Sequence, residues 1–180
     1  VYALPRTHLR DLFLDGGLDD QYKNGVLSVR GRIAFEDKPE KNWKAQVRLL
    51  KPNGKNAWRK PAICPINIPD DKSSRRWWQL NAKLDVKRPE KWSSENPALY
   101  TVLVTLLDPK GRPVESVCQR VGFRRVALGN RELLINGKAV LIRGVNRHDH
   151  DDQTGKTLSK DRMRSDIELM KQFNFNAVRT

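Results

Sequence analysis

The chain has 180 residues, with 35 Lys and Arg against 21 Asp and Glu for a formal net charge of +14, and this length leaves room for one or two small domains. Its 38% hydrophobic and 31% charged residues exclude wholesale disorder, and no apolar run nears the roughly 18 residues that would span a bilayer, so no membrane partner is expected. The positive charge invites a nucleic-acid reading, but basic residues such as Lys23, Arg30, Arg32, Lys44 and Arg48 are scattered over alternating positions, as on a solvated sheet face. The tightest cluster is Lys72, Arg75 and Arg76 beside Trp77 and Trp78, and no nucleic-acid partner is expected.

From the N-terminus, the first eleven residues hold no apolar stretch before a small-residue cleavage site, so no signal peptide is read and a cytoplasmic location is expected. A strand is expected near Leu9 to Leu14. Period-two alternation, the mark of half-buried strands, then recurs four times. Leu27, Val29, Gly31, Ile33 and Phe35 share one face; so do Trp43, Ala45, Val47 and Leu49. Trp78, Leu80, Ala82, Leu84 and Val86 form the third set, and Tyr100, Val102, Val104 and Leu106 the fourth. A last strand runs from Val114 to Val126. Asn24-Gly25, Pro52-Asn53-Gly54 and Pro109-Lys110-Gly111 supply turns. About seven short alternating strands imply an immunoglobulin-like antiparallel β-sandwich. Between Val86 and Tyr100, Pro89 and Pro97 forbid a continuous strand, so this is a crossing loop pinned by Trp92 and Leu99. Trp92 is read as a plug over the sandwich end, with a sugar platform as the alternative. Cys64 and Cys118 lack CxxC spacing and read as free thiols, a disulfide being the alternative.

After Leu128-Gly129-Asn130 the pattern changes, which places the domains at 1–129 and 130–180. Asn136-Gly137 is the type I′ pair of a hairpin. From Val140 to Val145 the chain is almost continuously apolar, as for a strand buried on both faces of a parallel sheet. Met163, Ile167, Met170 and Phe173 then form one stripe of a helix. Ser159 is its N-cap, Leu158 and Met163 have staple spacing, and Asn174 ends it. Phe175 to Arg179 reads as the next strand. Strand, helix and strand in about forty residues make a βαβ unit, the truncated start of a (β/α)8 barrel.

Barrel chemistry lies where strands end. Here one strand delivers Asn146, Arg147, His148, Asp149, His150, Asp151 and Asp152 to that end, and the next delivers Arg179. His and Asp can ligate divalent ions, but neighbours in one loop rarely converge on one ion and no HExxH spacing is present, so no metal site is assigned. His148 is read as hydrogen-bonding a substrate hydroxyl, with a loop-holding structural role as the alternative. Arg179 is read either as orienting a catalytic carboxylate and holding it ionised or as a salt bridge inside the barrel end.

Several runs carry a resemblance. Ile142 through His150, then Met163 with Asp166 to Gln172 and Asn174 to Thr180, resemble the large bacterial β-galactosidases of glycoside hydrolase family 2. Pro89 to Tyr100, Val121 to Arg124 and Leu134 to Lys138 are similar to the sandwich that precedes that family's barrel. The likeness covers nearly the whole chain, and the Asn146-Arg147-His148 form favours galactosidase over the related glucuronidases. It implies that the parent hydrolyses terminal β-D-galactosides with retention, that His148 contacts the galactosyl hydroxyls, and that Arg179 positions the nucleophilic glutamate. Asp149 stands where Glu is commoner. The resemblance puts both catalytic glutamates beyond residue 180, so no catalytic residue lies in this chain and the fragment alone is expected to be inactive. It also implies Mg and Na in the full-length enzyme on ligands outside this chain, no cofactor within it, and a homo-oligomeric parent. The alternative is a stand-alone sandwich module that binds carbohydrate or protein.

Overall fold

The period-two runs pair as antiparallel strands because each carries one apolar face that only a second sheet can cover. The computed structural model describes residues 3–36, 41–67 and 78–180. By their contacts, Val1–Val126 with Ile135–Gly137 form one unit, and Ala127–Leu134 with Lys138–Thr180 form another. The basic cluster from Lys72 to Trp77 lies outside the described residues, and Trp78 is buried.

The first unit holds β1 (Thr7–Leu18), β2 (Gly25–Phe35), β3 (Lys44–Leu50), β4 (Ala62–Asn67), β5 (Trp78–Val86), β6 (Tyr100–Leu107) and β7 (Pro113–Val121), in the order β1-β2-β5-β4-β3-β6-β7. β4 joins the two layers of the sandwich: Ala62 to Pro65 pair with β3, while Ile66 and Asn67 pair with β5. The change of partner falls beside Pro65, whose missing N–H cannot serve a ladder. Sequence patterning did not single out β4, since six residues with a central proline show little alternation. The outer strands also meet. The Leu9 N–H donates to the Glu115 carboxylate at 2.7 Å, and the Arg124 N–H donates to the Gly16 carbonyl at 2.9 Å. A Cβ at Gly16 would stand 2.7 Å from the Gly122 oxygen, so this approach needs glycine.

Each predicted apolar face points inward. Leu27, Val29 and Ile33 of β2, Ala45, Val47 and Leu49 of β3, Leu80 of β5 and Val102, Val104 and Leu106 of β6 are all buried. A fully buried aliphatic side chain of this kind contributes about 1.5–3 kcal/mol relative to its exposed form. Phe123 fills one end, edge-on to Tyr100 at a centroid distance of 4.9 Å. Cys64 is buried and Cys118 exposed, and both are free thiols.

Turn chemistry follows the sequence with one shift. Gly54 and Gly111 take φ of 79° and 80° in turns closed by Gly54 N–H to Lys51 O and Gly111 N–H to Asp108 O, each 2.8 or 2.9 Å. The β1–β2 reversal is centred before Asn24-Gly25: the Asp19 carboxylate accepts from the Lys23 and Asn24 N–H groups at 2.6 and 2.9 Å, and Gly25 already belongs to β2. Asx bonding of this sort mimics a backbone turn.

The crossing loop closes the sandwich end. A Cβ at Gly122 would stand 2.8–2.9 Å from the Trp92 side chain, the Trp92 N–H donates to Phe123 O at 2.9 Å, and the Arg124 guanidinium lies 4.5 Å from the Trp92 ring. Trp92 is thus a plug. Leu99 is not its companion, being exposed; Pro89 and Ala98 are the buried members of the loop.

The remaining elements are short. β8 (Val126–Leu128), β9 (Leu133–Ile135) and β10 (Lys138–Val140) form a sheet in the order β10-β9-β8. Asn136 and Gly137 turn between β9 and β10 with φ of 53° and 76°, the two left-handed residues a type I′ turn requires. The apolar run from Val140 to Val145 is not one strand buried on both faces. It breaks after β10 and resumes as β11 (Gly144–Asn146), leaving Leu141 and Ile142 exposed. The break is held by the Asn176 side chain, which accepts from Arg143 N–H at 2.8 Å and donates to Leu141 O at 2.9 Å. A side-chain amide there takes the place of a neighbouring strand.

Candidate functional site

β11 and β12 (Ala177–Arg179) pair in parallel, with Gly144 opposite Ala177, Val145 opposite Val178 and Asn146 opposite Arg179. Parallel neighbours need a crossover, and α1 (Lys160–Gln172) supplies it. The Ser159 hydroxyl accepts from Arg162 N–H at 3.2 Å to cap its first turn. At the far end Asn174 takes φ of 59°, Asn174 N–H donates to Lys171 O and Phe175 N–H to Met170 O, both at 3.0 Å. This is a Schellman motif with Asn at the left-handed position, and it sends the chain back into β12. No residue of α1 is buried, and the expected stripe is largely open, with Met163, Ile167 and Phe173 exposed.

The register sets the site. The C-terminal ends of both strands fall at one edge, where Arg179 stands level with Asn146, and the ladder continues one step as Arg147 N–H donates to Arg179 O at 2.8 Å. His148 follows one residue later and is exposed, as is Arg179. The two residues singled out from sequence therefore lie at the same strand edge.

Two groups beside them were placed at this strand end by the sequence but given no role of their own. Arg147 is the first. Its side chain is only 10% exposed; Nη1 donates to Asp149 Oδ1 at 2.6 Å and Nε to Asp166 Oδ2 at 3.0 Å. The bond to Asp149 foremost, with Asp166 adding, raises the Arg147 pKa further above its ordinary value and keeps it cationic, against an opposing effect of desolvation. The second is Asp151, whose carboxylate accepts from the N–H groups of Gln153 and Thr154 at 3.0 and 3.1 Å and from the Thr154 hydroxyl at 3.2 Å. Those backbone bonds hold its pKa below the ordinary carboxylate value and make Asp151 the organiser of the loop rather than a free ligand. An Arg-x-Asp step leaving a strand and an Arg162–Asp166 spacing on the helix were the available signals.

Three of the acidic groups near this edge are engaged. Asp149 and Asp166 face Arg147, Asp151 holds its own loop, and among the described residues no group of three or more His, Cys, Asp or Glu could hold a metal ion. The described residues do not fit a magnesium or sodium site. Trp78 packs edge-on against Phe35 at 5.9 Å inside the sandwich and offers no ligand platform. Among the described residues no helix is long and apolar enough to cross a membrane.

A β-sandwich followed by a parallel strand, helix and strand, with polar side chains gathered at the strand ends, defines a class: the opening of a (β/α) barrel carried behind a sandwich. The model of glycosyl hydrolases family 2 matches residues 7–124, and that of the TIM barrel domain of the same family matches residues 126–180. The chain belongs to glycosyl hydrolases family 2. It is 40% identical over 181 residues to a beta-galactosidase of Photobacterium profundum, covering 100% of this chain and 17% of that protein. To a beta-galactosidase of Vibrio vulnificus (strain CMCP6) it is 41% identical over 184 residues, again 100% of this chain and 17% of that protein. The chain thus spans about one-sixth of the length of the curated relatives it matches. Among solved structures it is similar to the beta-glucuronidase of Parabacteroides merdae, with a TM-score of 0.75 at 22% identity over 97% of this chain and 21% of that one. That likeness speaks to fold alone.

Proposed function

We propose that this chain is the sandwich and barrel-opening portion of a retaining β-galactosidase, and that it does not hydrolyse glycosides by itself. The observation that carries the reading is the shared edge: His148 and Arg179 leave neighbouring parallel strands at their C-terminal ends, where barrel enzymes keep their reacting groups. The near-40% identity along the whole chain to beta-galactosidases supports the choice of sugar.

In this reading the exposed His148 imidazole hydrogen-bonds a galactosyl hydroxyl. The Arg179 guanidinium stands beside the nucleophilic carboxylate of the complete barrel, where an opposite charge within about 4–6 Å favours the ionised form. Retaining hydrolysis needs two carboxyl groups about 5 Å apart, one as nucleophile and one as acid and then base. Two parallel strands cannot enclose a sugar between such a pair, since a closed barrel takes about 200 residues or more.

The test uses a chromogenic β-galactoside and the matching β-glucuronide. The purified 180-residue chain is expected to turn over neither. A full-length protein containing this sequence is expected to cleave the galactoside at least tenfold faster than the glucuronide, judged by kcat/KM. Turnover by the isolated chain that follows it through every purification step would overturn the inactivity, and a preference for the glucuronide would overturn the sugar assignment.

A further inference from the structure

His148 is exposed and makes no hydrogen bond among the described residues, yet it sits between two residues that are both tied down. On its N-terminal side Arg147 is bonded through its backbone to Arg179 O at 2.8 Å. On its C-terminal side Asp149 receives Arg147 Nη1 at 2.6 Å. The same guanidinium reaches α1, with Nε donating to Asp166 Oδ2 at 3.0 Å. Its Nη2 is buried 3.0 Å from that oxygen but not aligned to bond it. What the fork achieves is reach: a planar guanidinium spans two carboxylates on different elements at once, which a lysine ammonium cannot reproduce.

We propose that Arg147 is a positioning residue: by bridging Asp149 to Asp166 of α1 while its backbone bonds Arg179, it fixes the three-residue step that presents His148 at the strand edge. The proposal rests on the galactosidase reading for what His148 then touches. The loop beyond is held separately by Asp151, with its bonds to Gln153 and Thr154. The two anchors divide the loop into segments 147–149 and 151–155, linked through Arg162, whose Nε lies 3.9 Å from both Asp151 Oδ2 and Asp166 Oδ1.

That division gives the test. In the 180-residue chain, 15N relaxation should show the amides of His148 and Asp149 as ordered as those of α1. In Arg147→Gln their order parameters should fall below about 0.6, with Gln153, Thr154 and α1 unchanged; Arg147→Lys should fall between. Unchanged order at His148, or equal loosening through the whole loop and helix, would overturn the proposal. Should Arg147→Gln not fold, Asp149→Ala removes the acceptor of the Nη1 arm alone and must still loosen His148 alone, and no change there overturns it equally. In a full-length protein containing this sequence, Arg147→Lys is expected to lower kcat for a galactoside about tenfold with KM within about twofold, because a displaced positioning group weakens the transition state more than the ground state. Loosened His148 with unaltered galactoside kinetics would support the positioning and count against the galactosyl contact, so the two failures are distinguishable.

Discussion

Single side chains set the pH response of the sandwich, and Asp108 shows how. It is buried at the β6–β7 turn, and its carboxylate accepts from the N–H groups of Arg112 and Lys110 at 2.8 and 2.9 Å and from Arg112 Nε at 2.7 Å. The Arg112 backbone bond above all, with the Arg112 guanidinium and the Lys110 N–H, holds its pKa below 3.8, outweighing desolvation, which acts the other way. A carboxylate depressed in the folded state binds fewer protons there than in the unfolded chain, so its contribution to stability is complete above about pH 4. The contribution is lost as pH falls through the folded value. Asp108→Asn removes the titrating group while keeping an acceptor oxygen. The urea midpoint of the wild type should therefore fall more steeply between pH 5 and pH 2 than that of the variant, and parallel curves would show that Asp108 is not a source of the acid sensitivity. The same scale explains what escaped sequence reading. The position of His148 and Arg179 at strand ends was legible from the order of elements, whereas the bonds of Arg147 were not, since nothing in a linear pattern says which of several neighbouring charges turns inward to meet a helix.

Among the elements, the hairpin turn of β9 and β10 shows local chemistry and tertiary contact agreeing. Asn136-Gly137 marks a type I′ turn in the sequence, and both residues adopt positive φ. What the pattern does not show is where that turn docks. The Asn136 side chain accepts from Arg125 N–H and donates to Trp92 O, both at 3.0 Å, and its own N–H donates to Arg125 O at 2.8 Å. Tyr22 packs so closely on the turn that a Cβ at Gly137 would stand 2.8 Å from its ring. Asn136 thus bonds the chain just past the sandwich and the plug loop together. Replacing Asn136 with Ala removes two side-chain hydrogen bonds worth about 1 kcal/mol each and puts a residue poorly suited to φ > 0 at the turn. A loss of about 2–3 kcal/mol in unfolding free energy is expected from denaturant titration. Asn136→Gly should keep the turn and lose only the bonds, falling between; equal stability of Asn136→Ala and wild type would remove the clamp from the account. Element existence was readable wherever alternation was long, as in β2, β3, β5 and β6. It failed at β4, where six residues around Pro65 serve two sheets in turn, and between Val140 and Val145, where one amide from Asn176 decides the break.

At the scale of the whole chain, burial is unevenly shared, and stability should follow it. Among the described residues the hydrophobic core lies between Leu9 and Phe123, while α1 has no buried residue and exposes Ile167, Leu169 and Phe173. A 13-residue helix is marginal in water even for good helix formers, because nucleation is costly and few bonds follow it. Its caps at Ser159 and Asn174 are each worth about 1 kcal/mol, too little to replace a packed face. Opening free energies in a protein range from near zero to the global value according to such packing. Native-state hydrogen exchange should therefore find the amides of β2, β3 and β6 protected by the global unfolding free energy. Those of α1 and of β11–β12 should exchange at least a hundredfold faster, through local opening. A full-length protein containing this sequence should slow exchange in α1 alone toward the sandwich value, because further barrel strands would cover Ile167 and its neighbours. Equal protection of α1 and β6 in a chain proved monomeric by sedimentation would mean that caps and ion pairs such as Arg147–Asp166 stabilise the helix more than burial suggests. Burial would then not account for the stability of Ala127–Leu134 and Lys138–Thr180.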